Sequence, residues 1–500
     1  MNQVKKVVIV GGGTAGWMSA ALLKKVIGPV IDIELVESEQ IGTVGVGEAT
    51  IPPIQNVNAV LGINEAEFLK ETQGTIKLAI KFENWRTQGE SYYHTFGAAG
   101  KSFAFCHFHH FWRRANMLGE PYSFWEYDLN YLCAEAGKFA KINAKDPILD
   151  LDYAYHFDAS LYGQYLRKLS EKMGVVRTEG LIDKVKQDET SGFITALKLK
   201  DGREITGDLF IDCSGFKGLL TQQTLGTGYD DWSHLLPCDR ALAVPSERFE
   251  NTLPYTRSIA HKAGWQWRIP LQHRNGNGLV YCSRYYSDDE AADLLLSNLE
   301  SKATGDPSLI HFRTGRRRKQ WNKNVVAVGL ASGFLEPLES TSIHLIQTAI
   351  VRLIHLFPHH GIYQSNIKEY NKLSKLEFEQ IRDFLVLHYH VNERQDSQFW
   401  KDMQQLEIPD SLQQKIQLFR ESGALLRDQN DLFSESSWLQ VMMGQGITPK
   451  DYHPIAEQPS EAALKDMLAS IRKVKLDPIA KLPTHDAFLQ QYCAKPNNSK

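Results

Sequence analysis

The segment Lys6 to Val26 constrains the fold more than any other stretch of this 500-residue chain. "KVVIV" predicts a buried strand over Lys6–Val10, and residues from Trp17 onward predict a helix. Between them, GGGTAG matches GxGxxG, in which a tight turn and a helix N-terminus bind a diphosphate. The residues assigned to nucleotide contact are Gly11, Gly13, Thr14, Ala15 and Gly16. A glycine-rich turn without a ligand is the alternative.

A second predicted strand supports a nucleotide site. "IDIELVESEQ" is rich in β-branched residues and ends at Glu37, about twenty residues beyond the glycines. An acid at this position accepts a hydrogen bond from a ribose hydroxyl. The N-terminal segment therefore predicts a βαβ unit that binds NAD or FAD.

Later segments favour FAD over NAD. Residues 180–216 predict a meander of strands with turns at TSG and DG. A further buried strand, Val325–Val328, leads into the turn Gly329–Gly333 and a helix that begins at about Ser342. This order resembles the FAD domain of the glutathione-reductase type, and no second GxGxxG provides for NAD(P)H. That family carries an aspartate in the turn, whereas this chain has Leu330, which we assign to the cofactor site.

Composition excludes several classes of protein. Lys+Arg 56 against Asp+Glu 59 gives a net charge of -3, so electrostatics favours neither nucleic acid nor an anionic membrane as partner. We find no signal-peptide pattern and no run of eighteen apolar residues, so no membrane span is expected. The six cysteines lack CxxC or metal-like spacing and are interpreted as reduced thiols of a cytoplasmic protein.

The stretch GWQWRIP places two tryptophans two residues apart. On a strand, Trp265 and Trp267 would point to one face and form a broad aromatic wall. A core strand that ends at Pro270 is one interpretation. A barrier shaped for an aromatic ligand or a reactive intermediate is the other.

Four segments together resemble the flavin-dependent tryptophan halogenases. They are GGGTAGWMSA, GVGEATIPPI, WQWRIP, which matches the WxWxIP signature, and FLEPLESTSIHL. The resemblance covers residues 1–360 well and the C-terminal third more loosely. It implies an α/β chain with a glutathione-reductase-type FAD-binding fold, an inserted β-rich substrate region and a mainly helical C-terminal cap.

The expected domain organisation follows that resemblance. Residues 1–365 would form the FAD-binding halogenase domain, and residues 366–500 a helical substrate-side region. Within the first domain, the nucleotide-binding segments are expected at about 1–55, 150–220 and 320–357, and the substrate-side segments at about 56–149 and 221–319.

The resemblance also implies the chemistry. Reduced FAD, oxygen and chloride or bromide give hypohalous acid, and the paired tryptophans separate flavin from substrate. Lys77 matches the catalytic lysine that holds or captures this oxidant, and Lys81 is its rival. Glu339 matches the glutamate that orients the oxidant or accepts the arenium proton, with Glu336 as a decoy. From residue type alone, Lys77 could equally be an edge lysine and Glu339 a helix cap.

The halide and the flavin loop are assigned from the same family pattern. Backbone N–H groups at the start of a helix bind anions, so Thr341 and Ser342 are expected to contact the halide. The family often has glycine at position 342. The loop from Thr43 to Thr50 matches the segment that links the flavin and substrate sites. Its residues assigned to the cofactor are Gly45, Gly47, Glu48 and Ala49. An inert glycine-rich connection is the alternative.

Substrate contacts are expected from aromatic residues. In the family, residues at His-x-Phe spacing stack on the indole ring. His94–Phe96 and His109–Phe111 both have this spacing, and we favour the second pair. Trp438, Trp265 and Trp267 complete the substrate-side set. A metal site at the clustered histidines is disfavoured because no partner spacing supports it.

These features predict an FADH2-dependent halogenase that acts on an electron-rich, indole-type ring, with free tryptophan doubtful as substrate. A separate NAD(P)H-dependent flavin reductase would supply FADH2, transiently or by diffusion, and a homodimer is expected from the resemblance. One rival is an aromatic monooxygenase or flavin reductase of similar fold. The other is a non-catalytic flavin-binding protein, which would need neither Lys77 nor Glu339.

Overall fold

In the computed structural model, which describes residues 3–42, 47–103, 105–142 and 146–494, the chain divides into two compact units. Each unit is assembled from three stretches that alternate along the sequence. Unit 1 contains Met1–Gly74, Phe157–Asp239 and His311–Glu379, and unit 2 contains Thr75–His156, Arg240–Ile310 and Gln380–Lys500. The segments predicted to bind the nucleotide fall in unit 1, apart from residues 150–156.

The strands of the described residues are short. In chain order they are β1 (Lys6–Val10), β2 (Asp32–Glu37), β3 (Gly47–Ala49), β4 (Thr75–Lys77), β5 (Ala79–Glu83), β6 (Ser91–Thr95), β7 (Ala154–Asp158), β8 (Val176–Glu179), β9 (Ile182–Gln187), β10 (Ile194–Leu199), β11 (Glu204–Thr206), β12 (Leu209–Asp212), β13 (Tyr229–Asp231), β14 (Arg240–Ser246), β15 (Tyr255–His261), β16 (Gly264–Pro270), β17 (Asn275–Tyr281), β18 (Ser308–His311), β19 (Gly315–Arg317), β20 (Trp321–Asn322), β21 (Val325–Ala327) and β22 (Gly333–Phe334).

The α-helices become frequent toward the C-terminus. They are α1 (Thr14–Ile27), α2 (Ile54–Leu61), α3 (Glu65–Glu71), α4 (Phe108–Met117), α5 (Leu129–Glu135), α6 (Ala159–Lys172), α7 (Asp288–Ser297), α8 (Ser342–His355), α9 (Gln364–His390), α10 (Gln398–Gln404), α11 (Asp410–Ser422), α12 (Glu435–Gly444), α13 (Glu461–Leu476) and α14 (His485–Cys493). The predicted helical C-terminal region is therefore present. No helix in the described ranges has the length and apolar character that crossing a bilayer requires.

A parallel sheet forms the core of unit 1. Its order is β20–β21–β12–β1–β2–β8, and only β20 pairs antiparallel. Parallel sheets are covered on both faces, which explains the uninterrupted apolar run of β1. Helices α1, α6 and α8 contact one another in this unit. The predicted meander is the separate antiparallel sheet β9–β10–β11, with Gly192 and Gly202 in its turns at φ +65° and +92°.

Unit 2 contains a seven-stranded sheet in the order β18–β14–β17–β16–β15–β5–β6. The pairs formed by β16 with β15 and β17 are antiparallel, whereas β15 and β5 are parallel. Strand β16 carries the WxWxIP signature at the centre of this sheet. Its seven residues are all buried, and the strand ends at Pro270 as predicted. Residues 221–319 are thus β-rich, while residues 56–149 also contribute α2 to α5.

Candidate active site

The glycine loop between β1 and α1 has the geometry that a diphosphate site requires. Gly11 has φ +114°, and a β-carbon there would lie 2.3 Å from the carbonyl oxygen of Cys213. A β-carbon at Gly16 would lie 1.8 Å from the carbonyl oxygen of Gly11, so the helix packs directly on the turn. At Gly13, by contrast, an added β-carbon would meet no described atom within 4 Å. The loop is therefore closed on its protein side and open at Gly13.

The first turn of α1 leaves its amide donors for a ligand. Its N-cap is Gly13, and no side chain of the described residues caps it. Uncapped N–H groups at a helix N-terminus attract anions such as phosphate. Thr14 and Ala15, the first two helical residues, lie at this end, as the sequence pattern predicts.

Glu37 ends β2 beside the glycine loop. Its Oε1 accepts a hydrogen bond from Arg177 Nε at 2.6 Å. Its other carboxylate oxygen lies against Gly12, where a β-carbon would overlap it. The arginine holds the carboxylate in place at the end of β2, where a ribose hydroxyl needs an acceptor.

The distant strand–turn–helix segment returns to this loop, as predicted. Gly329 begins the turn after β21 with φ +65°, and a β-carbon there would lie 2.8 Å from the Ala15 side chain. Leu330 follows it in a 3₁₀ turn and is half-buried. The residues of unit 1 therefore fit a bound FAD, because Gly13 is open to a ligand and the described residues leave the N-terminus of α1 uncapped.

The loop from residue 43 to residue 50 is described only in part. Gly45 lies outside the described residues. Gly47, Glu48 and Ala49 form β3, in which Gly47 and Ala49 are buried. Burial raises the pKa of the Glu48 carboxyl to about 7, so this group titrates near neutral pH.

The segment before α8 concentrates buried polar groups. Glu336 and Glu339 flank a 3₁₀ turn, Pro337–Glu339, and both carboxylate side chains are buried. Helix α8 then begins at Ser342, the predicted position, with Thr341 as its N-cap. Within the described chain, the Thr341 side chain makes no capping hydrogen bond to this helix.

The hydroxyl group of Thr341 is a buried polar group at the start of α8. Its side chain is fully buried, yet its Oγ1 has no hydrogen-bond partner among the described residues. A buried hydroxyl without a partner is costly, which makes an absent ligand a physical explanation. Together with the uncapped N-terminus of α8, this arrangement can accept a small anion.

Lys77 ends β4 and is completely buried, at 0% exposure. Its Nζ lies 5.2 Å from the centroid of the Phe96 ring. The rival Lys81 is partly exposed and pairs with Glu135, with an Nζ–Oε1 distance of 3.6 Å. An edge lysine that deters aggregation would be exposed. Burial therefore separates the two lysines and contradicts the edge interpretation of Lys77.

Two buried histidines surround the strand of Lys77. His485 accepts a hydrogen bond at Nε2 from the Ile76 N–H at 3.1 Å, so its Nδ1–H donates to the carbonyl oxygen of Thr252 at 2.9 Å. Burial lowers the pKa of His485 to about 4. Burial, and then the charge of Lys77, lowers the pKa of His156 well below its usual value. Both imidazoles are consequently neutral and add no positive charge beside Lys77.

A chain of hydrogen bonds joins this strand to the WxWxIP strand. Thr75 Oγ1 donates to the carbonyl oxygen of Pro270 at 2.7 Å and is 2.9 Å from His156 Nδ1. His156 Nε2 lies 2.9 Å from Thr256 Oγ1. Because the Thr75 proton is used by Pro270, His156 donates from Nδ1 and accepts from Thr256. No sequence signal identified either histidine, since each is isolated in the chain.

The tryptophans of β16 lie on one face, as predicted. The Trp265 and Trp267 ring centroids are 6.1 Å apart, and both rings are buried. Trp267 lies across Gly278 of β17, where a β-carbon would come within 2.0 Å of the ring. Trp265 also approaches Trp85, with centroids 6.4 Å apart. The pair is thus a rigid wall that is part of the core of unit 2.

The two His-x-Phe pairs occupy different surroundings. His109 and Phe111 lie on α4, where His109 Nε2 donates to the Gly423 carbonyl oxygen at 2.7 Å. Burial lowers the pKa of His109 to about 3. His94 and Phe96 lie on and just after β6, and Phe96 contacts Lys77. The structure therefore places Phe96, which belongs to the second-choice pair, at the buried lysine.

Trp438 is a buried residue of α12 with a fixed orientation. Its Nε1–H donates to Asp431 Oδ2 at 3.1 Å, and Lys415 Nζ lies 4.3 Å from the ring centroid. Phe384 contacts it edge-on at 4.8 Å.

In the ranges that the structure describes, no three His, Cys, Asp or Glu side chains are arranged to hold a metal.

Comparison with known proteins identifies the family. The family model for tryptophan halogenase matches residues 6–461. Tryptophan 6-halogenase ThaL of Streptomyces albogriseolus is 36% identical, over 98% of this chain and 99% of that protein. Tryptophan 7-halogenase RebH of Lentzea aerocolonigenes is 33% identical with the same coverage of both chains.

Solved structures agree over the full length. A flavin-dependent halogenase from Xanthomonas campestris superposes with a TM-score of 0.96 at 48% identity, covering 100% of both chains. BrvH, a flavin-dependent halogenase from a Brevundimonas species, gives 0.94 at 42% identity, covering 98% of this chain and 99% of the other. The chain therefore belongs to the tryptophan halogenase family and is a flavin-dependent halogenase, an oxidoreductase that uses halide and reduced FAD from a separate flavin reductase.

Proposed function

We propose that this halogenase acts on an electron-rich, indole-type ring and that Lys77 and Glu339 are its catalytic residues. The observation that carries the proposal is the complete burial of Lys77 with its Nζ 5.2 Å from the Phe96 ring centroid. Burying a lysine costs free energy, so such a position indicates a role that an exposed lysine cannot fill. His156 and His485, which pack around the same strand, are neutral and add no second positive charge near Lys77.

Bound reduced FAD supplies hypohalous acid from oxygen and halide. Lys77 holds this oxidant, by hydrogen bonding or as a haloamine, and makes the halogen more electrophilic toward the ring. Glu339 orients the oxidant or accepts the proton that leaves the arenium intermediate. Its burial, at 1% exposure, supports this role because a buried carboxylate is shielded from bulk water. The residues that would hold the FAD are those of the glycine loop, Glu37, β3 and Leu330.

The halide is proposed to bind at the N-terminus of α8. The Thr341 hydroxyl, buried and without a partner in the described chain, supports this placement, as do the free backbone N–H groups at Ser342. Ser342 has a β-carbon where the family often has glycine, so the backbone N–H rather than the side chain is the expected contact.

The substrate ring is proposed to stack on His94 and Phe96 rather than on His109 and Phe111. Contact between Phe96 and Lys77 supports this choice, because a ring stacked on Phe96 is presented to Lys77. Trp265 and Trp267 are proposed to form the wall that separates the flavin from the substrate. ThaL and RebH are named for tryptophan, whereas we propose indole or another indole derivative here, since no segment for holding an amino acid's charged groups was found in the sequence.

Three further expectations complete the proposal. FADH2 reaches the enzyme transiently or by diffusion from an NAD(P)H-dependent reductase, and the enzyme is a homodimer. The location is cytoplasmic, supported by the six cysteines, all of which are free thiols in the structure.

The test is a reaction of purified protein with FAD, an unrelated flavin reductase, NADH, oxygen and either chloride or bromide. Indole and tryptophan are offered side by side, and halogen isotope patterns are read by mass spectrometry. Lys77→Ala is expected to lower halogenated product by a factor on the order of 10² or more. Release of hypohalous acid to a diketone trap continues in that variant.

Lys81→Ala is the matched control. Lys81 lies four residues after Lys77, is partly exposed, and forms an ion pair with Glu135. This variant is expected to retain product formation. Halogenated product from Lys77→Ala at the wild-type rate would refute the assigned role. A hydroxylated product would favour the monooxygenase alternative, and no oxygen-dependent turnover would favour a flavin-binding protein.

A further inference from the structure

One buried glutamine holds the backbone on both sides of Phe96. Gln440 lies on α12 at 0% exposure. Its Oε1 accepts a hydrogen bond from the Thr95 N–H at 2.7 Å, and its Nε2 donates to the Gly97 carbonyl oxygen at 3.2 Å. The Gln440 amide thus pairs with the backbone N–H of the residue before Phe96 and with the backbone carbonyl of the residue after it.

The neighbouring contacts make this arrangement rigid. Ser436, one turn earlier on α12, donates from Oγ to the same Gly97 carbonyl oxygen at 3.2 Å. The Thr95 hydroxyl donates to the buried carboxylate of Asp128. A β-carbon at Gly97 would lie 2.5 Å from Asp128 Oδ1, so the turn packs directly on this carboxylate.

Phe96 is also tied to the lysine segment. Its own N–H donates to the carbonyl oxygen of Leu78 at 3.1 Å, and Leu78 directly follows Lys77. The backbone position of Phe96 is therefore set by Leu78 on one side and by Gln440 on the other. The 5.2 Å spacing between its ring centroid and Lys77 Nζ depends on both.

We propose that Gln440 is a positioning residue that, acting through Phe96, sets where the aromatic substrate lies relative to Lys77 and thereby determines regiochemistry. This inference rests on the proposed function, in which the substrate ring stacks on Phe96. Gln440 itself touches neither substrate nor oxidant. It acts because a displacement of about 1 Å in a reacting group changes rates by as much as about a hundredfold.

Only an amide performs this task at position 440. Glutamate retains an acceptor for the Thr95 N–H but replaces the donor to Gly97 by an oxygen that repels the carbonyl. Methionine has a similar volume and loses both hydrogen bonds. Since the side chain is fully buried, water has no access to replace either bond.

Gln445 provides a matched control on the same segment. It is also buried and makes one side chain–backbone hydrogen bond, from Nε2 to the His388 carbonyl oxygen at 2.7 Å. Within the part of the chain that the structure describes, its side chain makes no hydrogen bond to residues 95–97. Gln445→Met should therefore reproduce the loss of stability without moving Phe96.

The experiment uses the full-length enzyme with FAD, a flavin reductase, bromide and 3-methylindole, whose most reactive ring carbon is blocked. A diketone trap reports hypohalous acid that escapes. Gln440→Met is expected to lower the ratio of halogenated arene to halogenated trap by on the order of tenfold and to change the regioisomer distribution. Total hypohalous acid stays constant, and Gln440→Glu gives an intermediate ratio.

Gln445→Met is expected to keep both the ratio and the regioisomers of the wild type, at a comparable loss of melting temperature. If Gln440→Met also keeps them, Gln440 is merely structural and the inference is overturned. If the wild type halogenates neither 3-methylindole nor indole while the trap is halogenated, the proposed function fails, and the inference fails with it for that separate reason.

Discussion

Replacing His485 by glutamine should make unit 2 less sensitive to acid. In the native structure His485 is neutral, accepting a hydrogen bond from Ile76 N–H and donating one to the Thr252 carbonyl oxygen. A glutamine amide offers the same acceptor and donor but does not titrate. The substitution therefore removes a proton-binding group while keeping the polarity of the site.

The size of the effect follows from the pKa difference between the two states. The pKa of His485 falls from 6.5 in the unfolded chain to about 4 in the native protein, because burial penalises its charged form. Between these two pH values the unfolded chain binds more protons than the native protein. The contribution of His485 to the free energy of unfolding is therefore fully present above pH 6.5 and is lost as the pH falls toward 4. At about 1.36 kcal/mol per pKa unit, wild type should lose about 2 kcal/mol through this residue between pH 7 and pH 4.5.

The assay is urea denaturation of wild type and His485→Gln at pH 7 and pH 4.5. The variant is expected to start slightly less stable at pH 7 and to lose about 2 kcal/mol less on acidification. The other buried histidines, including His156 and His109, are present in both proteins, so their acid sensitivity cancels in the comparison. An equal pH dependence of the unfolding free energy in the two proteins would refute the neutral, buried assignment of His485.

Three further outcomes are expected. Gly278→Ala should displace the Trp267 ring, which the new β-carbon would approach within 2.0 Å, and cost about 1–3 kcal/mol in urea unfolding; an unchanged midpoint would contradict this packing. Gly13→Ala should leave the melting temperature of the FAD-free protein unchanged but weaken FAD binding in calorimetry. Gly11→Ala should lower both the melting temperature and the affinity for FAD. Equal behaviour of the two variants would contradict the open side of the loop. Thr341→Val should keep or raise stability, since it removes a buried hydroxyl without a described partner, and should raise the halide KM several-fold; an unchanged KM would remove Thr341 from the halide site.

The elements that were predictable from sequence are those whose determinants are local. Strand β1, the glycine loop and the position of Glu37 follow from one continuous segment, and all three lie where they were expected. The start of α8 at Ser342 and the end of β16 at Pro270 were likewise encoded by the residues at those points. A turn, a cap or a proline stop acts within a few residues, so the sequence displays it directly.

The surroundings of Lys77 could not be predicted, because they come from distant parts of the chain. Thr75 reaches His156 and Pro270 across 81 and 195 residues, and Ile76 reaches His485 across 409. The choice between the two His-x-Phe pairs had the same difficulty. Spacing alone is identical in both, and the pairing of β5 with β6, which places Ala79 opposite Thr95, brings Phe96 near the lysine.

Helix α9 begins at the domain boundary that the sequence predicts near residue 365. Helix α9 runs without interruption from Gln364 to His390, while the division between the compact units falls after Glu379. Helical periodicity continues through that point, so no composition change or break marks it.

The alternation of stretches between the two units has a consequence for biosynthesis. Unit 1 is not complete until Glu379 has been added, and unit 2 not until the last stretch from Gln380 has emerged from the ribosome. Neither unit can be produced as a contiguous fragment, and a single crossover between homologous genes would divide both. Strand β1 must therefore wait for β12, and β5 for β15, so each sheet is completed only after a long intervening stretch has been synthesised.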